Sequence, residues 1–222
     1  MSGVVARAPQ RGGRVTAAAR ATGEMAALTA APTRGRRPAR GTPADAPVAY
    51  HAARVLLVIR WCGRPQTSAD RRPAIKGRTL LAKLDFFVRY PNYLVAAATI
   101  RNRTLAPADL GAGTLAETSS VESRMVRYRY GPWDHVYYVV LAYLIGKGLI
   151  VVEQEARTEV FRLTARGDAV AQELSRSPAY ADVTARAKTS YRLFNSYSGN
   201  GLKDFIYRHF PEVVARGIGE AI

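Results

Sequence analysis

Residues 144–167, LIGKGLIVVEQEARTEVFRLTARG, restrict the fold of this chain more than any other stretch. An apolar helix runs into Gly148, and glycine suits the left-handed cap at the end of a helix. Two short apolar strands are predicted next, over 149–154 and 159–163, joined by a polar connection at 155–158. A lone hairpin is marginally stable in water, so we expect this one to pack against a helical core.

The rest of the chain is predicted to be mainly helical. Thr164 suits the N-cap of the helix that follows the hairpin, and Asp134 suits the cap of the one before it. Pro91 stops a helix at Tyr90. The predicted helices cover 52–61, 80–90, 92–100, 134–147, 165–175 and 183–196, and a turn at 199–201 leads to a last one. The sequence therefore predicts a mainly α fold with a small β-hairpin, in which 102–122 is a long loop.

A set of residues before, within and after the hairpin forms a characteristic pattern. They are Tyr137-Tyr138, Leu141, Leu144, the run Lys147-Gly148-Leu149-Ile150 and the run Phe161-Arg162-Leu163-Thr164-Ala165-Arg166-Gly167. This pattern resembles winged helix-turn-helix proteins of the PadR and MarR type over residues 133–176. The resemblance implies a winged-helix domain at 48–176, with its wing at the hairpin, and a helical C-terminal extension at 177–222. It also implies duplex DNA as partner and a homodimeric transcriptional regulator, whose helix before the wing enters the major groove.

Three further segments carry a second resemblance. They are LAKLDFFVRYP, RMVRYRYGPWDHVYYVVLAYLIGKGLI and LKDFIYRHFPE. These segments are similar to small winged-helix subunits of three-component ABC-ATPase defence systems. The resemblance implies a bacterial protein that binds a partner ATPase subunit of the SMC or ABC type and has no catalytic role of its own.

The helix before the hairpin departs from the DNA-reading pattern. A recognition helix reads base edges through hydrogen-bonding side chains. Residues 136–145, VYYVVLAYLI, are apolar on nearly every side. We therefore expect this helix to be buried on more than one side, by extra helices or by a partner chain. That expectation favours the ATPase subunit, whereas the residue pattern around the hairpin favours the regulator.

The charge of the chain points to polyanionic partners. Lysine and arginine number 33 against 17 acidic residues, which gives a net charge of +16. The first 44 residues hold eight arginines against Glu24 alone, and the remainder keeps 25 basic against 16 acidic residues. Nucleic acid is the first partner class that such a field attracts, and anionic membrane is the second. The sequence contains no apolar run of the length that a membrane span requires.

The first 47 residues are rich in alanine, arginine, glycine and proline, with few large apolar side chains. Such a composition predicts disorder, because it buries too little surface to offset the entropy of ordering. Two interpretations stay open: a start that truly lies at Met25, or a tail that binds nucleic acid nonspecifically.

Candidate DNA contacts lie just before the apolar helix. Arg124, Arg127 and Arg129 alternate with apolar and aromatic residues, so an extended strip could hold phosphates. The alternative is a β-segment with Tyr128 and Tyr130 packed inward and its arginines merely solvated. The further candidates are Lys76, Arg78, His135, Lys147 and Arg157.

Catalysis is not expected. His51, His135 and His209 lie far apart and have no metal-ligand neighbours in sequence, and no nucleophile elbow surrounds any serine. Cys62 is the only cysteine, which excludes an internal disulfide and favours a buried thiol in a cytoplasmic protein. We predict no catalytic residue, no metal and no cofactor. The predicted location is the cytoplasm, and association with the nucleoid stays an open alternative.

Overall fold

The computed structural model describes residues 48–65, 71–111 and 124–222. The helices of these residues are α1 (Val48–Cys62), α2 (Arg78–Arg89), α3 (Pro91–Ile100), α4 (Val136–Gly146), α5 (Ala165–Arg176), α6 (Ala181–Phe194), α7 (Gly199–His209) and α8 (Pro211–Val214). The strands are β1 (Ala74–Lys76), β2 (Val126–Tyr128), β3 (Gly131–Trp133), β4 (Ile150–Glu155) and β5 (Thr158–Leu163). A mainly helical fold with a small antiparallel sheet is therefore confirmed.

The predicted hairpin is confirmed, with a tighter connection than expected. Strands β4 and β5 pair antiparallel from Ile150 opposite Leu163 to Glu155 opposite Thr158. Two residues rather than four join them, because Ala156 adopts a left-handed φ of 52° that lets the chain reverse at once. Each strand thus extends one residue further toward the turn than the sequence pattern indicated.

A third strand completes this sheet, in the order β1-β5-β4. β1 pairs antiparallel with β5, so that Ala74 lies opposite Arg162. The sequence analysis missed β1, because three residues are too few for the alternation of apolar and polar side chains that marks a strand.

The connection between the β4–β5 hairpin and α5 is stabilised by hydrogen bonds of the Thr164 side chain and by a close backbone approach at Gly167. The Thr164 Oγ1 accepts a hydrogen bond from the Gly167 N–H at 2.9 Å and lies 2.7 Å from the Gly148 carbonyl oxygen, to which it donates. A Cβ atom on Gly167 would lie 1.8 Å from the Leu149 carbonyl oxygen. Gly148 has the expected left-handed φ, of 65°. The predicted cap at Thr164 is confirmed, and Gly167 is required because the start of α5 lies against the start of β4.

Helix α1 is the centre of the core. Residues 51–59 are all buried, and α1 packs against α2, α4, α5 and α6. Helices α6 and α7, which belong to the segment predicted as a C-terminal extension, pack on α1 and α2 in the same hydrophobic cluster. The rings of Phe87 and Phe194 stack there with centroids 4.4 Å apart.

Two predictions for the C-terminal helices are wrong. The turn predicted at 199–201 is the first turn of α7, because the Ser198 hydroxyl caps this helix by accepting the Gly201 N–H at 3.1 Å. In the helix predicted at 183–196, the helical spacing of Ala187, Tyr191 and Phe194 predicts that all three face inward. Ala187 and Phe194 are buried, but Tyr191 is exposed. Tyr191 therefore contributes little to the core.

Part of the predicted loop at 102–122 is described. It contains a short 3₁₀ turn at Pro107–Asp109, and residues 112–122 lie outside the described residues, as does the predicted disordered tail at 1–47. Among the described helices, none combines the length and the apolar character that crossing a membrane would take.

Candidate nucleic-acid interface

The candidate cations beside the sheet are neutralised by acids of the β4–β5 hairpin. Lys76 Nζ lies 2.8 Å from Glu155 Oε2, and Arg78 Nη2 lies 2.6 Å from Glu159 Oε1. These partners are 79 and 81 residues away along the chain, so the pairing had no local signal in the sequence. Each carboxylate offsets much of the positive field that a phosphate would meet at these two side chains.

Two further candidates, Lys147 and Arg157, lie just beyond opposite ends of strand β4. Arg157 is exposed at the tip of the β4–β5 hairpin. Lys147 is exposed at the end of α4, with its ammonium 5.7 Å from the centre of the Tyr143 ring.

The other four candidates lie around the hairpin of β2 and β3. Arg127 pairs with Pro132 across this hairpin, and residues 129–130 form its tip. The C-terminal segment pairs with the other edge of β2, since the Arg127 N–H donates to the Glu220 carbonyl and the Arg127 carbonyl accepts from Gly219, each at 2.8 Å. β2 is therefore held on both sides.

The structure corrects two predictions for this segment. A proline at position 132 predicts that the extended segment ends there, before the helix. Instead Pro132 lies inside β3, because Gly131 has a φ of 104° and reverses the chain before it. The strip from Arg124 to Tyr130 is therefore not extended throughout. Tyr128 and Tyr130, for which inward packing was one interpretation, are 44% and 54% exposed. The interpretation that buries these two rings is wrong, because the turn at 129–130 carries them away from the core.

A cluster of rings joins the β2–β3 hairpin to the start of α4. The Trp133 ring centroid lies 6.2 Å from that of Tyr128, 5.9 Å from that of Tyr138 and 5.2 Å from that of Tyr137. His135, exposed at the N-terminal end of α4, lies 6.4 Å from Tyr128 by the same measure. The structure therefore brings Arg124, Arg127, Arg129 and His135 to one region with three tyrosines.

Within this chain helix α4 is buried on one side only, so the described helices do not cover it on several sides, and burial by a partner chain stays a prediction. Tyr137, Val140, Leu141 and Leu144 face the core. The opposite face consists of Tyr138, Val139, Ala142 and Ile145, all exposed. The described helices pack against a single side of α4, because α1 and the sheet occupy that side alone.

A buried ionic cluster fixes the start of α4. Asp134 accepts a hydrogen bond from the Val136 N–H at 2.9 Å and an ion pair from Arg89 at 2.7 Å. Asp85 accepts from Arg54 Nε at 2.8 Å and from the Tyr137 hydroxyl at 2.7 Å. Helices α1, α2 and α4 are thereby tied together by charges that are shielded from water.

Burial and charge shift the pKa values in this cluster. Burial alone would raise the pKa of Asp85, but the charges of Arg54 and Arg89 and the hydrogen bonds to it lower it below its ordinary value. Burial, followed by the charges of Arg54 and Arg89, lowers the pKa of His51 to about 4. Burial raises the pKa of Tyr137 well above its usual value, and Asp85 adds to this. The cluster thus holds Asp85 charged and His51 neutral at pH 7.

The described residues contain no group of three or more histidine, cysteine, aspartate or glutamate side chains placed to hold a metal ion. Burial raises the pKa of Cys62, whose thiol donates to the Ala187 carbonyl. A buried thiol of this kind is a poor nucleophile.

The sequence analysis missed Trp133 and Tyr138 as parts of the candidate interface. Their only signal was aromatic density around 128–138, which is equally typical of a core. It also missed the cluster of Arg54 and Asp85, whose signal was a charge inside each of two apolar helices.

Comparisons with protein families, with curated proteins and with solved structures found no match.

Proposed function

We propose that this chain is a noncatalytic winged-helix protein that binds duplex DNA through its phosphates, with the β2–β3 hairpin as the main contact. The order of elements supports the winged-helix assignment. α1 is followed by β1 and α2, and α4 is followed by the β4–β5 hairpin, whose second strand pairs with β1. In this proposal α3 and residues 101–135 are an insertion between α2 and the helix before the wing. A DNA-binding role would place the protein in the cytoplasm, at the nucleoid.

The observation that carries the proposal is an acid-free, arginine-bearing hairpin. Residues 124–133 contain three arginines and no acidic residue. Arg124 and Arg129 are exposed, and Arg127 is half-buried between them. Cations that lack acidic neighbours attract phosphates most strongly, and the release of counterions from DNA favours their binding.

The side chains on the exposed face of α4 support DNA contact without direct readout of the bases. Its side chains are Tyr138, Val139, Ala142 and Ile145, of which only the tyrosine can form a hydrogen bond. Direct readout in the major groove needs donors and acceptors on the helix that enters it. We therefore propose phosphate-directed binding that depends weakly on sequence, rather than recognition of a palindromic operator.

A salt series tests the proposal. The Arg124→Ala/Arg129→Ala double variant of the full chain is compared with wild type for binding to a mixed-sequence duplex by fluorescence anisotropy. Loss of two phosphate contacts should reduce the slope of log K against log salt by about 1 to 2. The matched control, Arg103→Ala/Arg176→Ala, removes the same charge at two exposed positions on other elements. Equal effects of the two double variants would contradict the proposal.

A second candidate function is a protein-binding subunit of an SMC- or ABC-type ATPase complex in a bacterial defence or DNA-maintenance system. The exposed apolar face of α4 favours it, because Tyr138 and Val139 are 57% and 55% exposed and Ile145 is 47% exposed. Contiguous apolar side chains at a surface are typical of protein interfaces. A second copy of this chain could cover the same face.

Co-expression with an ABC-type ATPase from the same bacterium tests this candidate. The complex should form with wild type and with Ala169→Asp, a change at an exposed position of α5, but not with Val139→Asp. Light scattering of the chain alone distinguishes an ATPase partner from a second copy of this chain. If wild type is a homodimer and Val139→Asp is a monomer, the exposed face of α4 binds a second copy.

A further inference from the structure

The rings around Trp133 form an exposed platform with a fixed base. Tyr128, Tyr130 and Tyr138 each leave about half of their surface to solvent. Beneath them, Tyr137 is buried, contacts the Trp133 ring and donates its hydroxyl to Asp85. Trp133 is half-buried and contacts both Tyr128 and Tyr138. Tyr128, Trp133 and Tyr138 are therefore held in place by the core before any ligand arrives, and Tyr130 lies beside them in chain order, at the exposed tip of the β2–β3 hairpin.

Cations surround this platform. The Arg78 guanidinium lies 5.6 Å from the centre of the Tyr138 ring, although Glu159 offsets its charge. Arg129 is next to both Tyr128 and Tyr130 at the tip of the β2–β3 hairpin, and Arg124 precedes β2. The Arg127 Nε is buried and finds no hydrogen-bond partner among the described residues. A polyanion at this surface would meet the positive charges of the exposed Arg124 and Arg129.

The chemistry of the platform selects one kind of polyanion. Base pairs in a duplex hide their faces in the stack, so exposed tyrosine rings gain little from them. Unpaired bases offer those faces, and stacking on aromatic side chains tolerates any base. Arginines spaced between the rings can at the same time contact the phosphates that link such bases.

We infer that Tyr128, Tyr130 and Tyr138 bind unpaired bases of single-stranded nucleic acid by stacking, while Arg124 and Arg129 contact the adjoining phosphates. This inference rests on the proposed function and narrows its ligand. A strand on this platform crosses from the hairpin tip to the first turn of α4. Single-stranded segments then bind more tightly than duplex at equal salt.

The test compares single alanine variants of the full chain. Binding of oligo-dT, oligo-rU and duplex DNA, each about 20 nucleotides long so as to exceed one binding site, is followed by anisotropy over a salt series. Tyr128→Ala and Tyr130→Ala should each weaken binding of at least one single strand by about 5- to 100-fold, and duplex binding by less than about 2-fold. The salt slope should not change, because no charge is removed.

Two controls separate stacking from loss of structure. Tyr128→Phe and Tyr130→Phe keep the ring and should bind single strands within about 2-fold of wild type. Tyr191→Ala removes an exposed tyrosine from α6 and should have no effect. In a Trp61→Phe background Trp133 is the remaining tryptophan, so quenching of its fluorescence reports occupancy of the platform itself.

The outcomes distinguish this inference from the proposed function. If the tyrosine variants bind single strands like Tyr191→Ala while Arg124→Ala/Arg129→Ala loses duplex affinity, stacking is wrong and the proposed function stands. If neither set of variants changes any binding and the Trp133 fluorescence is not quenched, both are wrong.

Discussion

Asp85 is fully buried between the guanidinium groups of Arg54 and Arg89. It also accepts a hydrogen bond from Tyr137 on α4. A buried pair contributes modestly when complete, but removal of one partner leaves an uncompensated charge. This single side chain therefore decides whether α1, α2 and α4 keep their relative positions.

Asp85→Asn should lower the free energy of unfolding by about 3 to 5 kcal/mol at pH 7. The amide keeps the shape of the side chain but leaves the buried Arg54 guanidinium without its anion, while Arg89 keeps its ion pair with Asp134. Urea denaturation followed by circular dichroism measures the change. Asp204→Asn, which alters a carboxylate 61% exposed beside Lys203, is the control and should change stability by less than about 0.5 kcal/mol. Similar losses in the two variants would count against the role given to Asp85.

Lys83 is a second buried charge, without an acidic partner among its hydrogen bonds. It is 1% exposed on α2, and its ammonium donates to the Thr79 carbonyl at 3.3 Å. Burial, and then the charge of Lys203, lowers the pKa of Lys83 to about 7. The folded protein thus binds this proton more weakly than the unfolded chain does.

Lys83→Met should stabilise the protein at pH 7, and its advantage should shrink as the pH rises. Between pH 7 and the ordinary lysine pKa the unfolded chain holds a proton that the folded state has released, so wild-type stability rises with pH in this window. From pH 7 to 9 the gap between the two unfolding free energies should narrow by about 2 kcal/mol, at about 1.4 kcal/mol per pKa unit. Denaturant titrations at three pH values measure it, and parallel curves would show that Lys83 stays protonated in both states.

At the scale of elements, the junction of the β4–β5 hairpin and α5 leaves no room for a larger side chain at position 167. The start of α5 touches the backbone of Leu149, and Thr164 bonds to both sides of the junction. These contacts explain the glycine at position 167, which local propensity for a helix would not favour.

Gly167→Ala should lower the free energy of unfolding by about 3 kcal/mol, at the upper end of overpacking effects, because its methyl group would collide with the Leu149 carbonyl. Thermal and urea unfolding measure this. Gly146→Ala is the matched control, since nothing lies within 4 Å of a Cβ there and the residue ends α4. That variant should gain up to about 1 kcal/mol from helix propensity. A loss in both variants, or in neither, would contradict the account of this junction.

At the scale of the whole molecule, the positive charge is divided between residues 1–47 and residues 48–222. Residues 48–222 keep 25 basic against 15 acidic residues, a net charge of +10. Several of these cations are paired, as Lys76 and Arg78 are, so net charge overstates the field near the sheet. Arg124, Arg127 and Arg129 of the β2–β3 hairpin have no acidic ion-pair partner within residues 48–65, 71–111 and 124–222.

A chain that begins at Val48 should retain DNA binding with a shallower salt dependence. Fewer phosphates are neutralised once the eight arginines of 1–47 are removed, so the slope of log K against log salt becomes less steep. The effect of Arg124→Ala/Arg129→Ala should persist in this shorter chain. Anisotropy from 50 to 300 mM salt, on the order of the range over which counterion release dominates, measures both slopes. Complete loss of binding would assign all DNA contact to the first 47 residues.

Local chemistry in the sequence determined the helices, the β4–β5 hairpin and the cap at Thr164. Helical periodicity, turn residues and capping act over a few residues, and they can be recognised in isolation. The arginines of the candidate interface were also recognised, because alternation of charge and aromatic groups is a local pattern. The strand β1 was missed because its partner lies on β5, far along the chain.

Only the tertiary structure decided which of these features face solvent and which charges stay unpaired. Helix α4 is apolar all round, and its sequence cannot tell which side α1 covers; packing buries Tyr137 and exposes Tyr138. Likewise, nothing in the sequence distinguishes Lys76 and Arg78 from the other candidate cations. The tertiary structure pairs them with Glu155 and Glu159. Burial and ion pairing depend on distances between residues remote in the chain, and those distances exist only after the helices have packed.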